Sequence, residues 1–383
     1  MSTVPILIFR ELSVSDATRH LIQTIQNSNE KLLQKYLQCG VDVNAQLYDG
    51  TTPLLAAVTK GYTSMVTLLL RNGCHVNQLP LLETGQYGDS ALHLAAIKGY
   101  VRIAKILLKH GGEPNLTTFG GKTPLMKACF HGNLTIVQLL VEAGACISQL
   151  DYQKRSALHW AAITGSDDIV DFLLNHGGIN DLDLQDFQGS TPLLLATIEG
   201  SHESVKNLLK HKCDVNIKNK TLQCETYISG YSPIHIACCD GNSLIVTDLI
   251  NAGANLYIQD GGTGGTPLMW AAKLGHLDVV TILLKHDTQR ETSINVGNNK
   301  EETALYQAVQ NNHNEIVKML LSYNADPDIK TKAGDSPLLQ AVKNKNSRNV
   351  AYLLQANCDV NYTNGNTSAI QYALSHHYVD LIR

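Results

Sequence analysis

The sequence predicts an all-α fold: a solenoid of stacked helix-turn-helix units joined by β-hairpin fingers. Three observations carry this. A Thr/Ser-Pro/Ala start followed by a short Ala-rich run recurs along the chain, glycines punctuate each unit at fixed offsets, and a second apolar run ends in paired leucines. Units that cannot bury an apolar face alone, repeated at a constant period, form a core only by stacking.

The start reads TTPLLAAVTKG from Thr51, DSALHLAAIKG from Asp89, GKTPLMKACFHG from Gly121, RSALHWAAITG from Arg155 and STPLLLATIEG from Ser190. It continues as YSPIHIACCDG from Tyr231, GTPLMWAAKLG from Gly265, ETALYQAVQNN from Glu302, DSPLLQAVKNK from Asp335 and TSAIQYALSHH from Thr367. The marker Thr or Ser falls at 52, 90, 123, 156, 191, 232, 266, 303, 336 and 368, with a base step of 33 residues. Proline after the marker suits a first helical position, because its φ is preset and its missing N–H has no helical partner there. Ala56, Ala57, Ala95, Ala96, Ala161, Ala162, Ala271 and Ala272 let the first helices approach closely, and pairs such as Leu107 and Leu108 or Leu283 and Leu284 build the core between units. Gly73, Gly111, Gly144, Gly177 and Gly253 stand where the second helix stops and a left-handed residue is wanted.

Residues 16–44 keep both helices without the Thr-Pro signature and have a more polar first helix, as a capping unit requires. At the other end Arg383 falls early in the second helix of the tenth marked unit, so the chain is expected either to be a fragment or to fray there. Steps longer than 33 place insertions around 78–87, 216–229 and 287–298, with Leu79, Leu81 and Leu82 in the first as candidate partner anchors. The first-turn glycine becomes Asn312, Lys345 and His377, and the second becomes Lys212, Asp287, Asn324 and Asn357. Lysine in left-handed geometry costs about 1 kcal/mol, so repeats beyond residue 290 are expected to open first.

Taken together these parts resemble the ankyrin repeat over nearly the whole chain. The expected organisation is an N-terminal extension of residues 1–15 and a single array of 16–383, comprising a cap at 16–47 and ten marked repeats, the last truncated. The resemblance implies a non-enzymatic scaffold or adaptor that grips a protein or peptide on a concave surface of fingers and inner helices. The alternative is the targeting domain of a longer enzyme, ubiquitin ligase component or channel. It also implies that Asn44, Asn77, Asn216 and Asn361, each ending a turn after Val, are substrates of an asparagine hydroxylase; mass spectrometry reads this as an added oxygen. In either case these side chains are expected to bond the local backbone. His93, His159 and His235 share one repeat position, where ankyrin-like repeats use the imidazole to brace adjacent loops.

Composition narrows function. Hydrophobic residues make up 44% of the 383 and charged ones 17%, enough for a long core and too apolar for a disordered tail. A net charge of −4 without basic runs excludes a nucleic-acid sleeve. The apolar VPILIF of residues 4–9 is shorter than a signal-peptide core or a membrane span, so a cytoplasmic chain without membrane insertion is expected, with the nucleus as the other compartment. Of nine cysteines, Cys74, Cys213 and Cys358 occupy slots held by Ala145 and Ala254 elsewhere and read as reduced buried fillers. The Gly121-Lys122-Thr123 run lacks the first glycine and preceding strand of a phosphate loop, no catalytic motif is present, and no cofactor is expected. His235, Cys238 and Cys239 share a helix face, but the bracing position of His235 argues against a metal.

Binding residues follow from comparing equivalent positions. Aromatics stand on the fingers at Tyr48, Tyr87, Phe119, Tyr152 and Phe187, and apolar side chains on the inner helices at Ile97, Phe130, Ile163 and Ile198; both tracks turn polar further along. Such a stripe suits an extended or helical peptide, with Lys122 and His131 favouring acidic flanks on it. The chain is expected to act as a monomer.

Overall fold

The computed structural model describes residues 14–81, 88–220, 230–289, 293–365 and 367–378. The chain forms two compact units, 1–182 and 183–383. In the first, helices pair as α1 Val14–Gln26 with α2 Glu30–Gln38, α3 Pro53–Thr59 with α4 Thr63–Arg71, α5 Ala91–Lys98 with α6 Val101–Lys109, α7 Pro124–Phe130 with α8 Leu134–Glu142, and α9 Ala157–Ile163 with α10 Asp167–Asn175. A 3₁₀ turn, Gly178–Asp181, follows. The second unit pairs α11 Pro192–Ile198 with α12 His202–Lys210, α13 Pro233–Asp240 with α14 Ser243–Asn251, α15 Pro267–Leu274 with α16 Leu277–His286, α17 Ala304–Gln310 with α18 Asn314–Ser322, and α19 Pro337–Lys343 with α20 Ser347–Gln355, before α21 Ala369–Ser375. Every marked repeat thus has its first helix where the Thr/Ser-Pro/Ala start predicts it.

The markers act as N-caps. The hydroxyl of Thr52 accepts from Leu55 N–H at 3.2 Å, Thr123 from Met126 at 3.3 Å and Ser336 from Leu339 at 3.2 Å; each such cap contributes about 1 kcal/mol. First helices stack on first helices within each unit, because fully buried Ala57, Ala95, Ala96, Ala161 and Ala272 leave room for close approach. Leu69, Leu107, Leu140, Leu208 and Leu320, also without exposure, fill the space beside the second helices.

The fingers are hairpins reduced to a tight turn: Thr118 N–H bonds the Lys122 carbonyl and Asp151 N–H the Arg155 carbonyl, both at 3.0 Å, and inside these Gly121 and Lys154 N–H return to the Thr118 and Asp151 carbonyls at 2.9 Å. Among the described residues only the two-residue strands β1 Thr363–Asn364 and β2 Thr367–Ser368 form a ladder. Backbone bonds join neighbouring fingers, Tyr152 N–H donating to the Gly120 carbonyl at 3.1 Å in the first unit and Lys332 N–H to the Lys300 carbonyl at 2.9 Å in the second.

The turn asparagines bond differently from expectation. Asn44 donates from Nδ2 to the Gly73 carbonyl (3.2 Å), and its Oδ1 accepts from His75 N–H (2.7 Å). Asn77 does the same with Gly111 and Glu113, and Asn216 with Gly253 and Asn255. These carboxamides tie one repeat to the next, while the local bond comes from Asp42, whose Oδ1 accepts Asn44 N–H at 2.9 Å. Asn115 makes the same joint with Gly144 and Cys146 although no Val precedes it. Asn361 is exposed, its N–H bonded to Asp359.

Left-handed backbone appears at Lys212, Asn312, Asn324, Lys345, Asn357 and His377, with φ between 57° and 63°. Asp287 departs from the expected pattern: its φ is −74°, and its carboxylate accepts from Tyr257 Oη, Gln289 N–H and Ser293 Oγ. Cys74, Cys213 and Cys358 are buried free thiols, as their slots predicted, and burial pushes the pKa of the first two up to about 12.

Candidate protein-binding surface

In the first unit three finger aromatics face solvent: Tyr48 is 83% exposed, Phe119 51% and Tyr152 71%. Their prominence follows from turn geometry. Gly121, at φ 74°, turns the chain after Phe119, and a Cβ there would lie 2.8 Å from the Tyr152 ring, so only glycine lets the two fingers approach. Phe130, at the end of α7, is 41% exposed and meets Trp160 of α9 edge-on, with centroids 5.3 Å apart.

Trp160 organises this surface, and the sequence reading missed it. It is only 6% exposed; its indole N–H donates to Asp151 Oδ2 at 3.1 Å, which fixes the ring against the finger. The other Asp151 oxygen accepts from Gln153 and Arg155 N–H, so this carboxylate is turned inward. Over the ring lie Lys122 Nζ, 4.1 Å from its centroid, and the Arg155 guanidinium at 5.2 Å. Lys122, expected to reach straight for a partner, is thus held over Trp160, without an ion pair among the described residues. Burial first, and then the charge of Lys127, lowers its pKa. Lys127 itself pairs with Asp89 at 2.9 Å. His131, exposed beside Phe130, also has its pKa lowered, by partial burial and then by Lys127.

The remaining expected residues are distributed unevenly. Ile97 and Ile163 are half-buried, and Tyr87 and Leu82 lie outside the described residues. Phe187 and Ile198 are exposed, at 63% and 45%, but belong to the second unit. The stripe expected from 48 to 198 is therefore divided between two bodies, and its fuller part is in the first. Exposed apolar side chains do not end with it: Leu274, Ile370 and Leu374 of the second unit are 44–56% exposed.

The shared histidines brace the fingers. His93 Nε2 donates to the Lys122 carbonyl (3.0 Å), while its Nδ1 accepts from Ser90 at 2.8 Å. His235 repeats this with the Gly265 carbonyl and Ser232. Both nitrogens being used, a metal at His235 would have to break the brace; among the described residues no cluster of three His, Cys, Asp or Glu is placed for one. No described helix is long and apolar enough to cross a membrane.

Comparison with known proteins agrees with this geometry. A family model described as ankyrin repeats (3 copies) matches residues 21–118, 112–186, 176–260 and 234–331, and one for a single ankyrin repeat matches 333–365. The chain is 27% identical over 377 residues to the human transient receptor potential cation channel subfamily A member 1, covering 79% of this chain and 33% of the channel. It is 28% identical to the Caenorhabditis elegans ankyrin repeat and KH domain-containing protein mask-1, over 81% of this chain and 13% of that protein. With the zebrafish palmitoyltransferase ZDHHC17 it shares 33% identity, over 61% of this chain and 36% of the relative. The chain thus spans about a third or less of the length of these relatives. Capped helix pairs, braced fingers and repeat-long matches lead to one conclusion: the chain belongs to the ankyrin-repeat family.

Proposed function

We propose that this chain is a non-enzymatic scaffold or adaptor that binds a peptide or protein segment on the finger and first-helix surface of its first unit. The observation that carries the reading is three aromatics of adjacent repeats, each more than 40% exposed: Phe119 and Tyr152 on fingers joined by the Tyr152–Gly120 bond, and Phe130 edge-on to the pinned Trp160. Aromatic anchors dominate binding energies, and solvent-facing rings on adjacent repeats are otherwise a liability. Lys122 beside them favours a partner with acidic flanks, while the lowered pKa of His131 weakens the charge expected from it. A single array from residue 16, acting as a monomer in the cytoplasm, and hydroxylation of the four turn asparagines belong to the same proposal. The test replaces Phe119, Phe130 and Tyr152 by Ala and checks by circular dichroism that the helices persist. Affinity for a partner captured by the intact chain should then fall at least tenfold; unchanged affinity places the site elsewhere.

A second reading has its own support. The chain covers 33% of a cation channel and 36% of a palmitoyltransferase, so a targeting role within a longer protein fits the same surface.

A further inference from the structure

The second unit holds a cavity of about 250 Å³ between the Asp260–Gly265 finger, α15 and the start of α17, lined in part by Trp270, Lys273, Asn298, Lys300, Glu302 and Gln307. Its wall is rigid. The Trp270 indole N–H donates to Asp260 Oδ2 at 3.0 Å, and Tyr231 packs on the ring with centroids 5.4 Å apart. Gly265 keeps this arrangement open, since a Cβ there would meet both Asp260 Oδ2 and Trp270 Nε1 at 2.9 Å.

The charged groups of this cavity are not paired with one another. Lys273 Nζ lies 4.7 Å over the Trp270 ring, and neither it nor Lys300 forms an ion pair among the described residues. The two neighbouring acids are satisfied internally. Asp260 accepts from Gly262, Thr263, Gly264 and Gly265 N–H and from Thr263 Oγ1 as well as from Trp270. Glu302 Oε2 accepts from Asn298 Nδ2 at 2.8 Å and Gln307 Nε2 at 2.7 Å.

Gln307 supplies the second observation. It is 6% exposed and lines the cavity, its Nε2 is committed to Glu302, and its Oε1 is buried without a hydrogen-bond partner. The fold does not ask for an amide here, because the equivalent position of the preceding units holds Leu195, Ile236 and Trp270. A buried acceptor beside two unpaired ammoniums calls for a ligand that brings an N–H donor and a negative charge together.

We propose that this cavity is a second ligand site, which takes an acidic side chain of a bound peptide, with its carboxylate toward Lys273 and Lys300 and an adjacent backbone N–H toward Gln307. The site is independent of the aromatic surface of the first unit and stands or falls without it.

The chain has two tryptophans, Trp160 and Trp270, so W160F leaves Trp270 as the sole indole reporter. In that background the probe is a blocked peptide, acetyl-Ala-Glu-Ala-Glu-Ala-amide, and the controls are its Gln counterpart with a blocked and with a free C-terminus. The Glu peptide should change Trp270 emission saturably, and the blocked Gln peptide should bind at least tenfold more weakly. K273Q should cost at least tenfold and Q307L severalfold with the thermal melt retained, while K285Q, an equal charge loss at an exposed position of α16, should change nothing. The proposal is overturned by any of three results: no saturable response, equal binding of Glu and Gln peptides, or equal weakening by K285Q and K273Q. Preference for the free-terminus Gln peptide over the blocked Glu peptide would also overturn it, by moving recognition to a chain terminus.

Discussion

Asn349 has no exposed surface, and neither atom of its amide is hydrogen-bonded. The equivalent position holds Ile136, Ile169, Ile245 and Ile316, all buried to at least 98%. An unsatisfied buried amide costs about 1–3 kcal/mol, so N349I should raise the unfolding free energy by about that amount, read as a higher urea midpoint at unchanged slope. A lower midpoint would show that the amide has a bonded role. Single residues also mark the limit of what could be read beforehand. Phe119 and Tyr152 were legible because an aromatic on a polar loop stands out against its neighbours, and Phe130 because the equivalent helix positions further along hold Lys273 and Lys343. Trp160 and Trp270 were not, because a tryptophan after a small-residue start reads as core. The cue lay in the aspartates five or six residues before each marker, Asp151 and Asp260, which accept the indole protons.

Among the elements, the helix starts were legible because Thr-Pro serves a single physical purpose there, and the same hydroxyl cap recurs in both units. The backbone at Asp287 was not legible, because spacing alone does not reveal that its carboxylate bonds Tyr257 and Ser293. Lys212 follows the simple rule: its φ is 62° at the end of α12, and its side chain is exposed. K212G should therefore stabilise the second unit by about 1 kcal/mol, the steric cost relieved at a left-handed position, as measured by thermal or urea unfolding. No gain would mean that the flexibility added to the unfolded chain offsets the relief. The left-handed Asn312, Asn324, Lys345, Asn357 and His377 gather beyond residue 290, where opening is expected first.

For the whole molecule, the buried histidines link stability to pH. His93 in the first unit and His235 in the second have imidazoles whose pKa burial lowers from 6.5 to about 4. The unfolded chain therefore takes up protons first. The contribution of each is intact above pH 6.5 and is lost as the pH falls to 4, on the order of 3 kcal/mol apiece. The melting temperature should drop through this window. It should drop less in H93L/H235L, which places at both sites the leucine already found at Leu55, Leu194 and Leu339. An equal drop in that variant would assign the acid sensitivity to other groups.

The carboxamide joints between repeats carry a consequence for chemical ageing. Asparagine slowly loses ammonia to become aspartate, and at Asn44 or Asn77 this would replace the donor that meets the next repeat's carbonyl with a repelling oxygen. The molecule already contains the aged form of this joint. Asp183 and Asp328 sit between repeats as acceptors alone, taking the Asp214 and Asp359 N–H at 2.8 Å. A chain that deamidates at these turns therefore shifts toward a joint it already uses elsewhere, keeping one of two bonds rather than coming apart.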